Sequence, residues 1–256
     1  MGRFSGDLSR PMERPLSYSP VGALGEMTRK QGSILRMKEA IGLGNARKNR
    51  LSKIEMVVPK GIGGEKKMAR MRVMIVIGSP RKKGNSSILA QRVAAGAKAG
   101  GAVVETFYLQ DMDIRPCTAC DVCRKKADID CVLDDDMTKL YPKLRSADAI
   151  VVASPIYWFT VSAQTKLFMD RWYALGSDEG YELAGKRFGI VLTYADADPF
   201  VSGAVNALRT FQDAIRFIGA EIVGMVYGSA WKAGEILRNR QAMKEAYELG
   251  KKLGKP

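Results

Sequence analysis

Short apolar runs alternate with amphipathic segments along residues 71–256. The apolar runs are rich in β-branched residues and have the length of strands covered on both faces of a sheet. They occupy residues 71–78, 102–109, 148–153, 187–193 and 220–227. The helix-like segments occupy residues 85–100, 134–146, 162–175, 203–218 and 232–252. Because a helix follows each strand, the pattern predicts an α/β three-layer sandwich around a five-stranded parallel sheet.

Local signals refine the boundaries of these elements. We expect Asn85 or Ser86 to cap the first helix. The three acidic residues 134–136 suit the start of the second helix. Pro142 lies inside that helix and predicts a kink or an early end. Residues 154–159 (SPIYWF) are predicted to form a loop after the third strand.

Residues 1–70 do not follow this pattern. They contain 15 basic and 6 acidic residues, whereas 71–256 contain 26 and 21, so most of the formal charge of +14 lies in the first quarter of the chain. We predict a basic extension that is disordered or a misassigned start, with the working protein beginning near Met68 or Met71. Nucleic-acid contact is the alternative, although Phe4 and Tyr18 are too few aromatic residues for a stacking platform.

The composition excludes several classes of protein. The chain has no run of about 18 apolar residues that would span a membrane. It also has no apolar core of a secretion signal near its start. We therefore expect a cytoplasmic protein without membrane contact. The absence of histidine excludes Ser-His and Cys-His nucleophile pairs and His-ligated metals, and we assign no catalytic side chain.

The turn between the first strand and the first helix carries groups that bind anions. A helix N-terminus offers free backbone N–H groups and the positive end of the helix dipole. Hydroxyl, amide and guanidinium donors are added by Ser79, Arg81, Asn85, Ser86 and Ser87. We interpret residues 78–87 (GSPRKKGNSS) as a phosphate site, and an ordinary capped turn is the alternative.

Three adjacent aromatic residues, Tyr157, Trp158 and Phe159, follow the third strand. Such side chains can pack along a planar ring while backbone groups bond to its polar edge. Packing on the hydrophobic core is the alternative. Ligands of parallel sheets bind at the carboxyl ends of the strands, so this segment should share an edge with residues 78–87. The two segments together favour a flat, phosphorylated cofactor.

The four cysteines of the chain lie close together in sequence, within a loop predicted at 111–133. They are Cys117, Cys120, Cys123 and Cys131, with the spacing C-x2-C-x2-C-x7-C. Structural zinc usually takes two separated C-x2-C pairs, whereas cubane iron–sulfur clusters use compact runs of this kind with a fourth thiolate. We expect these residues to ligate a [4Fe–4S] cluster, with zinc and disulfides or free thiols as alternatives.

These motifs resemble those of the iron–sulfur flavoproteins, a branch of the NADPH-dependent FMN reductase group with the flavodoxin-like fold. The matching pieces are GSPRKKGNSS, CTACDVC with Cys131 and the following DDDM, and ASPIYWFTVSAQTKLFMDRW. The resemblance covers residues 71–256. It implies that the serines, Arg81 and Asn85 of the first turn hold the FMN phosphate and that the four cysteines hold the cluster.

The resemblance also implies the remaining contacts of the flavin. The isoalloxazine ring would be lined by Pro155, Ile156, Tyr157, Trp158 and Phe159. A third flavin loop follows the fourth strand, where Thr193 and Tyr194 stand; many relatives have a glycine-rich stretch there, and this chain has none until Gly203. The family further implies dimers or tetramers, with the cluster near a flavin of a neighbouring subunit.

The sequence therefore predicts an electron-transfer flavoprotein containing FMN and a [4Fe–4S] cluster. Electrons would come from a reduced carrier such as ferredoxin and leave to an acceptor such as a quinone. One alternative is an NAD(P)H-dependent FMN or quinone reductase whose cysteines are structural. A second alternative is a redox sensor that acts by binding a partner.

Overall fold

The computed structural model describes residues 70–125 and 129–256. The predicted extension therefore lies outside the described residues, except for Arg70. The strands are β1 (Arg72–Ile77), β2 (Val103–Tyr108), β3 (Ala149–Tyr157), β4 (Thr160–Val161), β5 (Gly176–Ser177), β6 (Gly180–Tyr181), β7 (Arg187–Tyr194) and β8 (Glu221–Ser229). The helices are α1 (Asn85–Ala99), α2 (Val122–Lys125), α3 (Met137–Ser146), α4 (Ala163–Asp170), α5 (Ala204–Phe217) and α6 (Arg240–Leu253). Short 3-10 helices span Leu109–Asp111, Arg171–Leu175 and Glu235–Arg238.

Five parallel strands form the central sheet in the order β2-β1-β3-β7-β8. Alternate residues of each strand point to opposite faces. On one face they pack against α1 and α6, where Leu89 and Leu249 are buried. On the other face they pack against α3, α4 and α5, where Leu140, Phe168 and Phe211 are buried. The predicted three-layer α/β fold is confirmed.

The cap of the first helix and the start of the second helix differ from the predictions. Gly84 occupies the cap position of α1 in place of Asn85 or Ser86, and no side chain among the described residues caps this helix. Helix α3 begins at Met137, after the three acidic residues. It continues through Pro142 to Ser146, so the predicted early end does not occur. Its buried face, which includes Leu140 and Leu144, holds the segment helical despite the missing N–H of the proline.

The aromatic segment is a hairpin and not the predicted loop. Residues 154–157 continue β3, and β4 pairs antiparallel with the end of that strand. Trp158 and Phe159 form the turn, with φ values of 48° and 65°. A two-residue turn with two positive φ angles matches the twist of a β-hairpin, which explains why the chain reverses here although neither residue favours that conformation.

The sequence pattern also missed the small β5–β6 hairpin, whose strands have two residues each. The last helix begins at Arg240 and not near Lys232, because Asn239 caps it by accepting a hydrogen bond from the N–H of Ala242. Within 70–125 and 129–256, none of the helices has the length and apolar character needed to cross a membrane.

Candidate functional site

A cleft opens at the carboxyl edge of the sheet. Its walls come from the segments that follow β1, β3, β7 and β8, as expected for parallel strands whose carboxyl ends meet at one edge. Of the predicted cofactor residues, the cleft brings together Ser79, Arg81, Asn85, Ser86, Pro155, Ile156, Tyr157, Thr193 and Tyr194. Ala195, Ala230, Trp231 and Ala233 complete the lining, together with Gly84.

The turn before α1 leaves a buried polar atom available to a ligand. The hydroxyl of Ser86 is buried and has no hydrogen-bond partner among the described residues. It lies in the first turn of α1, where backbone N–H groups and the helix dipole favour an anion. Gly84 keeps the turn compact, because a Cβ at this position would lie 2.7 Å from the Ser79 hydroxyl. A phosphate group therefore fits this turn.

Three other predicted phosphate ligands are bonded inside the protein. The hydroxyl of Ser79 donates to the carbonyl of Arg81 and accepts the N–H of the same residue, both at 3.1 Å. The buried hydroxyl of Ser87 donates to the carbonyl of Arg81 at 2.9 Å, and Ser87 does not line the cleft. The side-chain amide of Asn85 donates to the carbonyls of Ala230 and Lys232, both at 3.0 Å. Asn85 thus connects the start of α1 to the segment after β8. Ser87 stabilises the turn between β1 and α1 through its bond to Arg81.

The aromatic hairpin separates two hollows. Trp158 is 92% exposed and, with Phe159, lines a second hollow. This hollow shares Ile156, Tyr194 and Ala195 with the first. The hairpin tip is held against α5, because the amide of Asn206 donates to the carbonyl of Phe159 at 3.1 Å. Tyr157 lines the first cleft, and the two tip residues line its extension.

The segment after β8 contributes a wall that the sequence reasoning missed. Trp231 lines the cleft and is largely exposed. Its backbone N–H and that of Lys232 donate to the carboxylate of Glu235, at 2.8 Å and 2.9 Å. The rule that ligands bind where parallel strands end applies equally to the fifth strand, and an aromatic residue two positions after its end was the available signal.

The hydroxyl of Tyr194 stays protonated in this cleft. Burial raises its pKa above the ordinary tyrosine value, and the charges of Tyr227 and Asp198 add to the effect. Tyr194 can therefore donate a hydrogen bond to a ligand over the whole neutral pH range. Thr193 lies beside it and is also buried.

The four cysteines lie on a loop beside the sheet, and none of them forms a disulfide. Cys117 and Cys120 are exposed, whereas Cys123 and Cys131 are half-buried. Ala119 and Asp121, on either side of Cys120, have φ values of 52° and 57°. Such left-handed turns in residues other than glycine are uncommon and bend the chain sharply between successive thiols.

The donor set of this loop suits a thiolate-binding metal centre. Soft thiolates favour iron–sulfur clusters and zinc, and all cysteines of the chain are in this one segment. Among the described residues, no three Cys, Asp or Glu side chains converge closely enough to hold a metal ion. The loop thus has the right chemistry, with its thiols apart in this structure.

The thiols differ in acidity. A hydrogen bond from the backbone N–H of Val122, followed by one from Thr118, lowers the pKa of Cys120. Burial raises the pKa of Cys123, and the nearby negative charge of Cys131 raises it further. Cys120 is therefore the more ready of the two to act as a thiolate.

The order of the sheet, the anion-binding turn and the aromatic hairpin define a flavodoxin-like flavoprotein. Comparisons with known proteins identify the branch. Residues 71–229 match the model of a family described as NADPH-dependent FMN reductase. An iron–sulfur flavoprotein of Archaeoglobus fulgidus is 31% identical over 185 residues, which cover 72% of this chain and 79% of that protein. One of Methanosarcina thermophila is 31% identical over 186 residues, covering 72% and 93%.

The chain therefore belongs to the iron–sulfur flavoproteins of the NADPH-dependent FMN reductase family, and it is a flavin-dependent oxidoreductase. The resemblance inferred from its motifs is confirmed. Among solved structures, the NAD(P)H:quinone oxidoreductase from Methanothermobacter marburgensis has a TM-score of 0.58 at 16% identity. The match covers 72% of this chain and 98% of that protein, and the similarity concerns the fold.

Proposed function

We propose that this protein is an electron-transfer flavoprotein that holds FMN and a [4Fe–4S] cluster. The observation that carries the proposal is the set of four thiols outside any disulfide, gathered in one loop of a protein whose cleft fits a phosphorylated flavin. The names of the relatives agree with it. When bound, FMN takes one or two electrons and the cluster exchanges one at a time.

The residues of the cleft have distinct roles in this proposal. Ser86 and the free N–H groups at the start of α1 hold the phosphate, with Ser79 and Arg81 beside them. Ile156, Tyr157, Thr193 and Tyr194 line the space for the ring. Because the chain has no histidine, protons reach the ring from water or from a tyrosine, lysine or carboxylate nearby.

The four cysteines, Cys117, Cys120, Cys123 and Cys131, are the proposed cluster ligands. Binding a cubane draws the four thiols together, and the loop that carries them is the only part of the chain with thiol donors. Ligation requires the thiolate form, and the lowered pKa of Cys120 favours that form.

The proposal includes partners and a location. A small reduced carrier such as ferredoxin would supply electrons, and the positive balance of residues 71–256 would favour an acidic carrier. The protein would act as a homodimer or homotetramer in the cytoplasm, where reducing conditions keep thiols available for metal.

Anaerobic purification tests the proposal directly. Iron, acid-labile sulfide, zinc and FMN are quantified per chain in the same sample. About four iron and four sulfide with one FMN per chain is the expected result, as the cluster stoichiometry requires. A yellow protein without iron would contradict the proposal and indicate a flavin enzyme without a cluster. Zinc in place of iron would indicate that the cysteine loop has a structural role.

The second candidate is an NAD(P)H-dependent reductase with structural cysteines. The family description, NADPH-dependent FMN reductase, favours it. Anaerobic stopped-flow mixing with NADPH distinguishes the two. Rapid bleaching of the flavin without a protein donor supports the reductase, whereas bleaching that requires reduced ferredoxin supports the electron-transfer flavoprotein.

A further inference from the structure

The two ends of the cysteine loop lie side by side. The N–H of Asp113 donates to the carboxylate of Asp136 at 2.8 Å, and the N–H of Asp136 donates to the carbonyl of Asp113 at 2.9 Å. The guanidinium of Arg115 donates to the carbonyl of Asp134 at 2.6 Å. We call residues 113–115 and 134–136 the loop stem, since all four cysteines lie between them.

A single buried arginine joins both halves of this stem. Arg171 is 1% exposed. Its Nη1 donates to the carbonyl of Arg115 at 2.9 Å and to the Asp135 carboxylate at 2.5 Å, while its Nη2 donates to the other carboxylate oxygen at 3.3 Å. Asp135 also accepts the N–H groups of Arg115 and Met137, both at 3.0 Å. Each half of the stem is therefore fixed to the same guanidinium.

Arg171 also connects the stem to the helices α4 and α3. It begins the 3-10 helix Arg171–Leu175, directly after α4, and α4 follows the aromatic hairpin. The hydroxyl of Tyr141, in α3, donates to the carbonyl of Arg171 at 3.2 Å. One residue thus links the hairpin side of the sheet, α3 and both ends of the cysteine loop.

One nitrogen of this guanidinium has no hydrogen-bond acceptor among the described residues. The Nε of Arg171 is buried and has no hydrogen-bond partner there. A buried donor without a partner is destabilising, and this N–H is available to an acceptor outside the chain. Cys131 packs against the same apolar cluster as Trp172, the next residue.

The guanidinium is permanently charged. Burial acts to lower the pKa of Arg171, but Asp135, Tyr141 and Cys131 more than offset this effect and hold the pKa above its ordinary value. The charge therefore stays in place at every pH at which the protein is folded.

We propose that Arg171 positions the cysteine loop and supplies a fixed positive charge and a free N–H group to the metal centre of that loop. This inference rests on the function proposed above. Reduction of a cluster adds negative charge, which a nearby cation and an N–H donor to sulfur both stabilise. Arg171 should consequently raise the reduction potential of the cluster, while Asp135 should lower it.

The opposite signs of these effects give the test. The midpoint potential of the cluster is measured by anaerobic redox titration with EPR detection in the full-length protein. Arg171→Met is expected to shift the potential to more negative values, and Asp135→Asn to more positive values. A purely structural pair would move both variants in the same direction or leave the potential unchanged, and either result overturns the proposal.

Two controls make the test specific. Arg209→Met removes a cation from an exposed ion pair with Asp213 on α5 and should leave the potential unchanged. Arg171→Lys keeps the charge and should stay closer to the wild-type potential than Arg171→Met does; a shift as large as that of Arg171→Met contradicts the proposal. If Arg171→Met does not fold, Asp135→Asn decides alone, and a potential that is unchanged or more negative overturns the inference.

Hydrogen–deuterium exchange separates this inference from the proposed function. In the protein as purified, Arg171→Lys should speed exchange in peptides covering the loop stem, and Arg209→Met should not. Unchanged exchange refutes the positioning role even when iron is present. If the wild-type protein contains no iron, the proposed function fails, and faster exchange at the stem still supports the positioning role.

Discussion

At the scale of single residues, hydrogen-bond partners separate side chains that look equivalent in the sequence. Ser86 and Ser87 are adjacent and both buried. The hydroxyl of Ser87 is bonded to the turn itself, whereas that of Ser86 has no partner among the described residues and lines the cleft. Only the latter is available to a ligand, so the pair allows a matched test.

Ser86→Ala should weaken FMN binding by about 0.5–1.5 kcal/mol, the usual contribution of one hydrogen bond, without lowering the stability of the flavin-free protein. Ser87→Ala should instead lower the stability of the flavin-free protein, because the carbonyl of Arg81 loses one of its three donors and keeps only those of Gly84 and Ser79. Fluorescence titration with FMN and thermal unfolding measure the two quantities. Equal affinity in wild type and Ser86→Ala would remove this hydroxyl from the phosphate site.

Arg81→Ala should weaken FMN binding by about 1–3 kcal/mol if its guanidinium bonds to the phosphate. Arg81 is exposed at the mouth of the cleft, so folding should be unaffected. The neighbouring Lys83→Ala is the control, since Lys83 is exposed and does not line the cleft. Isothermal titration with FMN measures both, and an unchanged affinity of Arg81→Ala excludes this contact.

Each of Cys117→Ala, Cys120→Ala, Cys123→Ala and Cys131→Ala should lose the cluster, because the chain has no spare thiol. The FMN content should remain, since the cysteines do not line the cleft. Iron, sulfide and flavin analysis of anaerobically purified variants checks this. Full iron and sulfide in any one of them would exclude that cysteine as a ligand.

At the scale of elements, the aromatic hairpin depends on a close approach to α5. Gly203, with a φ of 72°, stands before α5, and a Cβ there would lie 2.5 Å from the Cβ of Phe159. The hairpin tip therefore needs a glycine for both space and conformation. Since the tip lines the extension of the cleft, its position affects the ligand as well as stability.

Gly203→Ala should destabilise the fold by more than Gly234→Ala. Gly234 has a φ of 84°, and no atom lies within 4 Å of the position that a Cβ would occupy. Gly234→Ala should therefore lose only about 1–2 kcal/mol, the cost of a left-handed backbone conformation for alanine. Gly203→Ala adds a collision with Phe159 and should also weaken FMN binding. Chemical denaturation and FMN titration report these effects. Equal destabilisation by the two substitutions would show that the contact with Phe159 has no energetic role.

At the scale of the whole molecule, the buried pair of Asp135 and Arg171 links stability to pH. Burial acts to raise the pKa of Asp135, but the Arg171 guanidinium and the N–H groups of Arg115 and Met137 hold it below the ordinary value. A carboxylate whose folded pKa is depressed stabilises the fold above its unfolded pKa. That contribution is lost as the pH falls through the folded pKa.

Asp135→Asn should therefore be less stable than wild type at neutral pH, by about 3–5 kcal/mol as for a broken buried pair. The difference should shrink below about pH 4, where the unfolded carboxyl begins to take up protons. Urea denaturation of the metal-free protein across acid pH measures it. A difference that is constant with pH would mean that Asp135 does not titrate in the unfolding reaction.

The sequence predicts the central strands of this protein better than its hairpins. The apolar, β-branched runs that form β1 and β7 are predictable from the sequence, because central parallel strands are apolar on both faces. The sequence predicts a loop at residues 154–157, whereas the structure continues β3 there, because residues 154 and 155 pair with β7 and residues 156 and 157 pair with β4. The β5–β6 hairpin, of four strand residues, is too short to leave a periodic pattern.

The sequence by itself determined the order of strands and helices, the family, and the location of chemistry in the first turn, the aromatic segment and the cysteine loop. These depend on residue types and spacings that are local along the chain. Only the tertiary structure decided which donors are free, since Asn85 is engaged by a segment 145 residues away. It alone brought Arg171 to Arg115 and Asp135, because pairing between distant residues depends on how the elements pack.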